Sequence, residues 1–180
     1  MEILRTISFY CEAKGLKFLV TGGHAVNAYG ISRQTGDLDL IVKRSDKGAW
    51  QILLEKLRYT PFQDDERFSR FKPAELASWP IDLMYLDDQS FDKMLVAAQE
   101  INMGTVNVPV VSAEHLVALK IHTLKYYQAH REPKDYGDLL ALLRTAAAKL
   151  SEVELRALCE KYASIELFER LAKDLDINRD

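Results

Sequence analysis

Phe18-Leu19-Val20-Thr21-Gly22-Gly23-His24-Ala25-Val26-Asn27-Ala28-Tyr29, followed after a short gap by Asp37-Leu38-Asp39-Leu40-Ile41-Val42, is the stretch whose reading decides the fold. Residues 18–21 read as a short buried strand, Gly22-Gly23 ends it, and residues 24–29 have the apolar spacing of a helix. Without a β-carbon the glycine turn lets a phosphate approach the backbone, and the free N–H groups at the helix start would face that anion. In the second segment Leu38, Leu40 and Val42 fall on one face of a strand, so Asp37 and Asp39 share the other. Two unit charges about 5 Å apart repel by roughly 3 kcal/mol at an effective dielectric near 20, so the pair calls for a counter-charge. A third carboxylate, Asp82, sits on another short apolar segment, Ile81-Asp82-Leu83. Hard cations take carboxylate, phosphate and water oxygens, whereas the thiolate and imidazole set that suits zinc is missing here. Asp37, Asp39 and Asp82 therefore predict a metal site for Mg2+ (or Mn2+) and a nucleoside triphosphate.

Gly22-Gly23, a thirteen-residue gap containing Arg33 and Thr35, and then Asp37-Leu38-Asp39-Leu40 form a longer pattern. This pattern resembles the signature of the nucleotidyltransferase superfamily that includes DNA polymerase beta, and Ile81-Asp82-Leu83 resembles its third metal-site strand. Leu119-Lys120-Ile121, Arg131, and Lys134-Asp135 with Asp138-Leu139 resemble the helical part of small bacterial members, the AbiEii-type toxin and antibiotic nucleotidyltransferases. The resemblance spans roughly residues 16 to 145. One departure is Gly22-Gly23 followed by His24, where many relatives carry Gly-Ser. The resemblance implies an α+β (mixed α/β) nucleotidyltransferase fold, a mixed sheet flanked by helices with a C-terminal helical region. It also implies Gly22, Gly23, Arg33 and Lys120 as nucleotide-binding residues. Asp135 and Asp138 become acceptor-side or secondary residues, and an antitoxin partner becomes possible.

At 180 residues, 48% hydrophobic and 28% charged, the chain can bury a core of ordinary size. A net charge of -3 argues against a broadly basic nucleic-acid surface, although a few clustered cations would suffice for local phosphate contacts. Cys11 and Cys159 have no zinc spacing and are too few for a disulfide framework, so both are read as reduced structural residues. Residues 1–5 lack the apolar core of a signal peptide, and no stretch has the apolar length needed to cross a bilayer. A cytoplasmic protein with no membrane association is expected.

Ile3, Leu4, Ile7, Tyr10 and Cys11 mark an amphipathic first helix ending near Gly15. Ser45 or Asp46 can cap a helix with Trp50, Leu53, Leu54 and Leu57 as its buried stripe. Residues 59–80 read as one or two short strands with loops, and residues 81–86 as the strand that carries Asp82. Residues 106–111 read as an edge strand, because Pro109 cannot donate to a ladder. This α/β core covers residues 1–111, and a C-terminal helical region, residues 112–180, is expected to pack on it as one compact domain. Ser112 can cap a helix running to about His130, Pro133 can open the next, and Ser151 with Glu154 has the capping-box pattern.

On the long helix Lys120, Tyr127 and Arg131 repeat at seven and four residues, so two cations and an aromatic ring share a face that could meet the triphosphate. The competing reading has Tyr127 in the core and both cations solvated. Asp135 and Asp138 also share a face, and a helix's first turn favours acidic residues without any chemistry. His24 could touch phosphate or simply pack. His115, His122 and His130 have no ligand partner at suitable spacing, and Trp50, Trp79 and Tyr126 read as packing residues. No Gly-x-x-x-x-Gly-Lys loop, Gly-x-Gly-x-x-Gly turn or Gly-x-Ser-x-Gly elbow is present.

The expected activity is nucleotidyl transfer (EC 2.7.7-type): a nucleoside monophosphate moves from a triphosphate to a hydroxyl acceptor, and pyrophosphate leaves. A small molecule, a tRNA end and a partner protein's hydroxyl all fit this chemistry as acceptor. The alternatives are a catalytically silent nucleotide-binding or toxin–antitoxin interaction module of the same fold, and a metal-dependent nuclease.

Overall fold

The computed structural model describes residues 2–75, 78–126, 132–145 and 148–176. The chain divides into two compact units, residues 1–28 with 32–111, and residues 29–31 with 112–180.

The first unit runs α1 (Glu2–Lys14), β1 (Phe18–Val20), α2 (Gly22–Ala28), β2 (Leu38–Lys43), α3 (Lys47–Lys56), β3 (Tyr59–Asp64), β4 (Phe68–Pro73), β5 (Ile81–Leu86), α4 (Asp88–Val96), β6 (Gln99–Asn102) and β7 (Asn107–Val110). Among the described residues these strands form one seven-stranded mixed sheet, in the order β3-β4-β5-β2-β1-β7-β6. β2 lies parallel to β5 and antiparallel to β1, and β1 in turn lies parallel to β7. Cross-strand partners share a face. Leu38, Leu40 and Val42 therefore side with Ile81, Leu83 and Tyr85, and Asp39 and Ile41 side with Asp82 and Met84. The first face is the apolar one. Phe18, paired with Val42, meets Trp50 of α3 edge-on at 6.1 Å, and Leu38, Leu40, Val42, Ile81 and Leu83 are fully buried. The carboxylates project from the other face because the period of two leaves them nowhere else to go.

Several local expectations change. Gly22 and Gly23 do not precede the second helix but form its first two residues. Asp46 sits at the N-cap of α3 without a side-chain bond, and Ser45 donates instead to Asp88 Oδ1 at 2.9 Å. Residues 59–80 contain a full antiparallel hairpin, β3–β4, bulged between Pro61 and Gln63. β7 is not an edge strand: it lies between β1 and β6, and β6 takes the edge. The Val111 N–H donates to Val20 O at 3.0 Å, so the alternation of N–H directions aims the nitrogen of Pro109 at β1 as well. That ladder is one residue pair long, whereas the β6 side pairs four residues. Proline is tolerated because its missing donor falls on the brief side.

Arg58 follows the C-cap of α3 with φ +65°, in the left-handed region where a β-carbon is strained. Arg58→Gly is expected to raise stability by about 0.5–1 kcal/mol, measured as a shift of the urea midpoint at constant slope.

The second unit contains α5 (Ala113–Leu124), α6 (Glu132–Arg144), α7 (Glu152–Tyr162) and α8 (Ile165–Asp174). The Ser112 side chain caps α5 by accepting from the His115 N–H, and Ser151 with Glu154 forms the capping box that opens α7. The helix expected to reach His130 stops at Leu124, with Lys125 as its cap. Tyr127, His130 and Arg131 lie outside the described residues. Tyr126 is exposed rather than a packing residue. α8 is tied to α6 by the Tyr136 hydroxyl, which donates to Asp174 Oδ2 at 2.7 Å, and by Arg170 lying 3.7 Å over the Tyr136 ring. Among the described residues no helix is long and apolar enough to cross a membrane.

Candidate active site

β2 and β5 pair in parallel with Asp39 directly opposite Asp82, and Asp37 stands one residue before β2 begins. One carboxylate oxygen from each of Asp37, Asp39 and Asp82 lies within 4.8 Å of the other two. Asp82 is buried at 7% exposure, and Asp37 and Asp39 are half-buried. Thr35 donates from Oγ1 to Asp37 Oδ1 at 3.0 Å, which fixes that carboxylate just ahead of the strand. The donor set is all oxygen and the spacing suits a shared hard cation, so these residues fit Mg2+ or Mn2+ chemically.

The glycine pair is explained by its neighbours. Gly22 has φ +61°, and a β-carbon there would lie 1.8 Å from Asp39 Oδ2. A β-carbon on Gly23 would lie 2.5 Å from Thr35 Oγ1 and 2.6 Å from Arg33 Nη1. The backbone of Gly22 and Gly23 thus forms a floor against which Asp39, Thr35 and Arg33 rest. Arg33 is held by its own N–H, which donates to Asn27 Oδ1 at 2.9 Å. His24 is buried and packs on Trp79, with ring centroids 4.5 Å apart. Burial pushes its pKa below the ordinary histidine value, and the negative charge of Asp37 partly opposes that shift.

The sequence reading missed Arg70. On β4 it stands directly opposite Asp82, and its Nε donates to Asp82 Oδ2 at 3.2 Å. Its guanidinium also lies 5.0 Å from the centre of the Phe68 ring. The signal was present in the alternation of Phe68-Ser69-Arg70-Phe71-Lys72, which puts Phe68, Arg70 and Lys72 on one face of a strand.

In the second unit Lys120, Asp135 and Asp138 are all buried, at 7%, 4% and 6% exposure. Lys120 Nζ donates to Asp135 Oδ1 and to Asp138 Oδ2, each at 2.7 Å. The three residues read separately in the sequence are thus one ion cluster joining α5 to α6. Removing the ammonium that two buried carboxylates share costs far more than losing a surface pair. Lys120→Met is expected to destabilise the protein by about 3–5 kcal/mol, seen in chemical denaturation, whereas Lys120→Met with Asp135→Asn and Asp138→Leu should recover much of the loss.

A family model, Nucleotidyl transferase AbiEii toxin, Type IV TA system, matches residues 70–178. That span includes Arg70, Asp82, Lys120, Asp135 and Asp138 and leaves out the glycine pair, Asp37 and Asp39, so it is independent of the motif from which the sequence reading began. No curated protein sequence matches the chain significantly. Among solved structures the chain is similar to ANT(2'')-Ia in complex with adenylyl-2''-tobramycin, at 15% identity and TM-score 0.67, over 90% of this chain and 98% of that one. It is also similar to the lincomycin-bound lincosamide antibiotic adenylyltransferase LnuA, at 17% identity and TM-score 0.58, over 79% and 95%. An antigenic nucleotidyltransferase-like protein from Paracoccidioides brasiliensis matches at 15% identity and TM-score 0.56, over 79% and 74%. At these identities the likeness establishes the shared nucleotidyltransferase fold. With more than half its length matched by the family model, the chain belongs to the AbiEii family of nucleotidyl transferase toxins.

Proposed function

We propose that this chain moves a nucleoside monophosphate from a nucleoside triphosphate to a hydroxyl acceptor, with Asp37, Asp39 and Asp82 holding Mg2+ or Mn2+. The observation that carries this reading is the convergence of three carboxylate oxygens within 4.8 Å beside a glycine floor. The acceptor oxygen forms its bond to the α-phosphorus, the bond from that phosphorus to the bridging oxygen breaks, and pyrophosphate leaves. Bound divalent ions would activate the attacking hydroxyl and neutralise charge on the departing pyrophosphate. Asp82 accepts the hydroxyl proton, being the most buried of the three carboxylates. Gly22 and Gly23 offer backbone N–H groups to phosphate oxygens, and Arg33, packed against Gly23, offsets phosphate charge.

For Lys120, Asp135 and Asp138, all within the stretch of the family match, we propose a part in holding α5 on α6, since the buried ammonium is shared by both carboxylates. The same match supports a cognate antitoxin as the partner in the cell. The acceptor, whether a small molecule, a tRNA or a protein, is found by incubating the protein with cell extract and each α-labelled triphosphate in turn. Label retained covalently on one extract component is the expected result. Label that only binds and is released on denaturation would favour a silent nucleotide-binding module, and cleavage of extract polynucleotides without labelling would favour a nuclease.

A further inference from the structure

Three aspartates around one point carry a formal charge of -3, and their carboxylate oxygens lie within 4.8 Å of one another, so the cluster calls for positive charge nearby. Part of that positive charge comes from within the protein. Arg70 is an ion-pair partner of Asp82 at 3.2 Å, with its side chain 36% exposed against 10% for that of Asp82. It reaches the carboxylate from β4, a strand that holds none of the three aspartates, because cross-strand register sets Arg70 opposite Asp82 and Asp82 opposite Asp39. Its guanidinium carbon also lies 5.0 Å from the centre of the Phe68 ring, a second favourable contact besides the carboxylate. The guanidinium thus has two partners, the Asp82 carboxylate and the Phe68 ring, beside the carboxylate cluster.

We propose that Arg70 is a resident counter-ion that shares Asp82 with the incoming divalent cation and so sets the affinity of the carboxylate site. The proposal rests on the reading that Asp37, Asp39 and Asp82 bind metal. With Arg70 in place the formal charge facing a divalent ion falls from -3 to -2, and one oxygen of Asp82 is engaged by the guanidinium. Arg70 keeps the cluster together when no metal is bound, and it opposes the entry of a second positive charge. A unit charge and a divalent ion roughly 6 Å apart in a water-like dielectric repel enough to weaken binding by about tenfold.

The test is calorimetric titration of the full chain with MnCl2 alone, for the natural protein and for Arg70→Met, Arg70→Gln and Arg70→Lys. Arg70→Met keeps an unbranched side chain at this position and removes the charge. It should bind Mn2+ about tenfold more tightly, with Arg70→Gln alongside it and Arg70→Lys within about twofold of the natural protein. The difference should shrink at 1 M KCl, where screening is strong. Thermal melts of the metal-free proteins supply a second readout, with Arg70→Met melting lower and Arg70→Lys close to the natural protein. Unchanged or weaker Mn2+ binding in both charge-removing variants would overturn the proposal, as would Arg70→Lys behaving like Arg70→Met. If the natural protein took up no Mn2+, or took it up equally well after Asp37→Asn with Asp39→Asn, the metal reading itself would fall and this proposal with it.

Discussion

Gly22→Ala is expected to disable the site while leaving most of the fold standing. At this position φ is +61°, and a β-carbon would meet Asp39 Oδ2 at 1.8 Å, Cγ at 2.5 Å and Cβ at 2.8 Å. The left-handed conformation costs alanine about 1–2 kcal/mol by itself. The contact with Asp39 cannot be relieved by rotating a long flexible chain, because the crowded atoms include Cβ, which is fixed to strand β2. Either the carboxylate is forced off its position or the backbone of α2 moves, and a displacement near 1 Å at a catalytic group costs roughly a hundredfold or more in rate. Loss of divalent binding and at least a hundredfold loss of transfer are therefore expected. A double-mutant cycle isolates the cause: in an Asp39→Gly background, which removes the crowding Cβ as well as the carboxylate, Gly22→Ala should add only the left-handed cost, measured by urea denaturation. Equal destabilisation in both backgrounds would mean that Asp39 is not the reason for the glycine.

The second large effect is expected from Asp37→Asn combined with Asp39→Asn. Removing two of the three charged oxygens should abolish Mn2+ binding and nucleotidyl transfer together, because amide oxygens neither carry the charge nor replace a carboxylate as a hard ligand. Stability should move the other way. Like charges about 5 Å apart repel by roughly 3 kcal/mol at an effective dielectric near 20, and by less here because Asp37 and Asp39 are half-exposed and screened by solvent. The metal-free variant should thus melt at or above the temperature of the metal-free natural protein. A variant that neither binds metal nor folds would point to a structural role for the pair instead.

The sheet was largely legible because its strands carry their own signals. The alternation in residues 38–42 and the apolar run at 81–86 mark β2 and β5 without help from the rest of the chain. Capping chemistry likewise marks the starts of α5 and α7 through Ser112 and Ser151. Strand order is another matter. It is a long-range property, so Pro109 looked like an edge residue when only its own missing donor could be counted. Its harmlessness depends on how short the ladder to β1 is. The end of α5 was overrun because residues 125–130 contain no glycine or proline to stop a helix.

The site was legible as residue types rather than as neighbours. Asp37, Asp39 and Asp82 could be singled out from their spacing, but Asp39 faces Asp82 only through a parallel register that no local pattern encodes. Taken by itself Gly22-Gly23 points to a ligand's approach, whereas the crowding around it comes from the protein's own Asp39, Thr35 and Arg33. Arg70 and the Lys120 cluster were missed or divided for the same reason, since both ion pairs join elements brought together only in the folded chain.

The most direct measurement is the anomalous signal of manganese in crystals of the protein soaked with MnCl2 and a triphosphate analogue that cannot be cleaved between the α- and β-phosphorus. Density is expected between Asp37, Asp39 and Asp82, with carboxylate oxygens within about 2.0–2.6 Å of the ion and the triphosphate lying against Gly22-Gly23. Manganese bound elsewhere, or absent from these carboxylates while the analogue is present, would contradict the metal assignment.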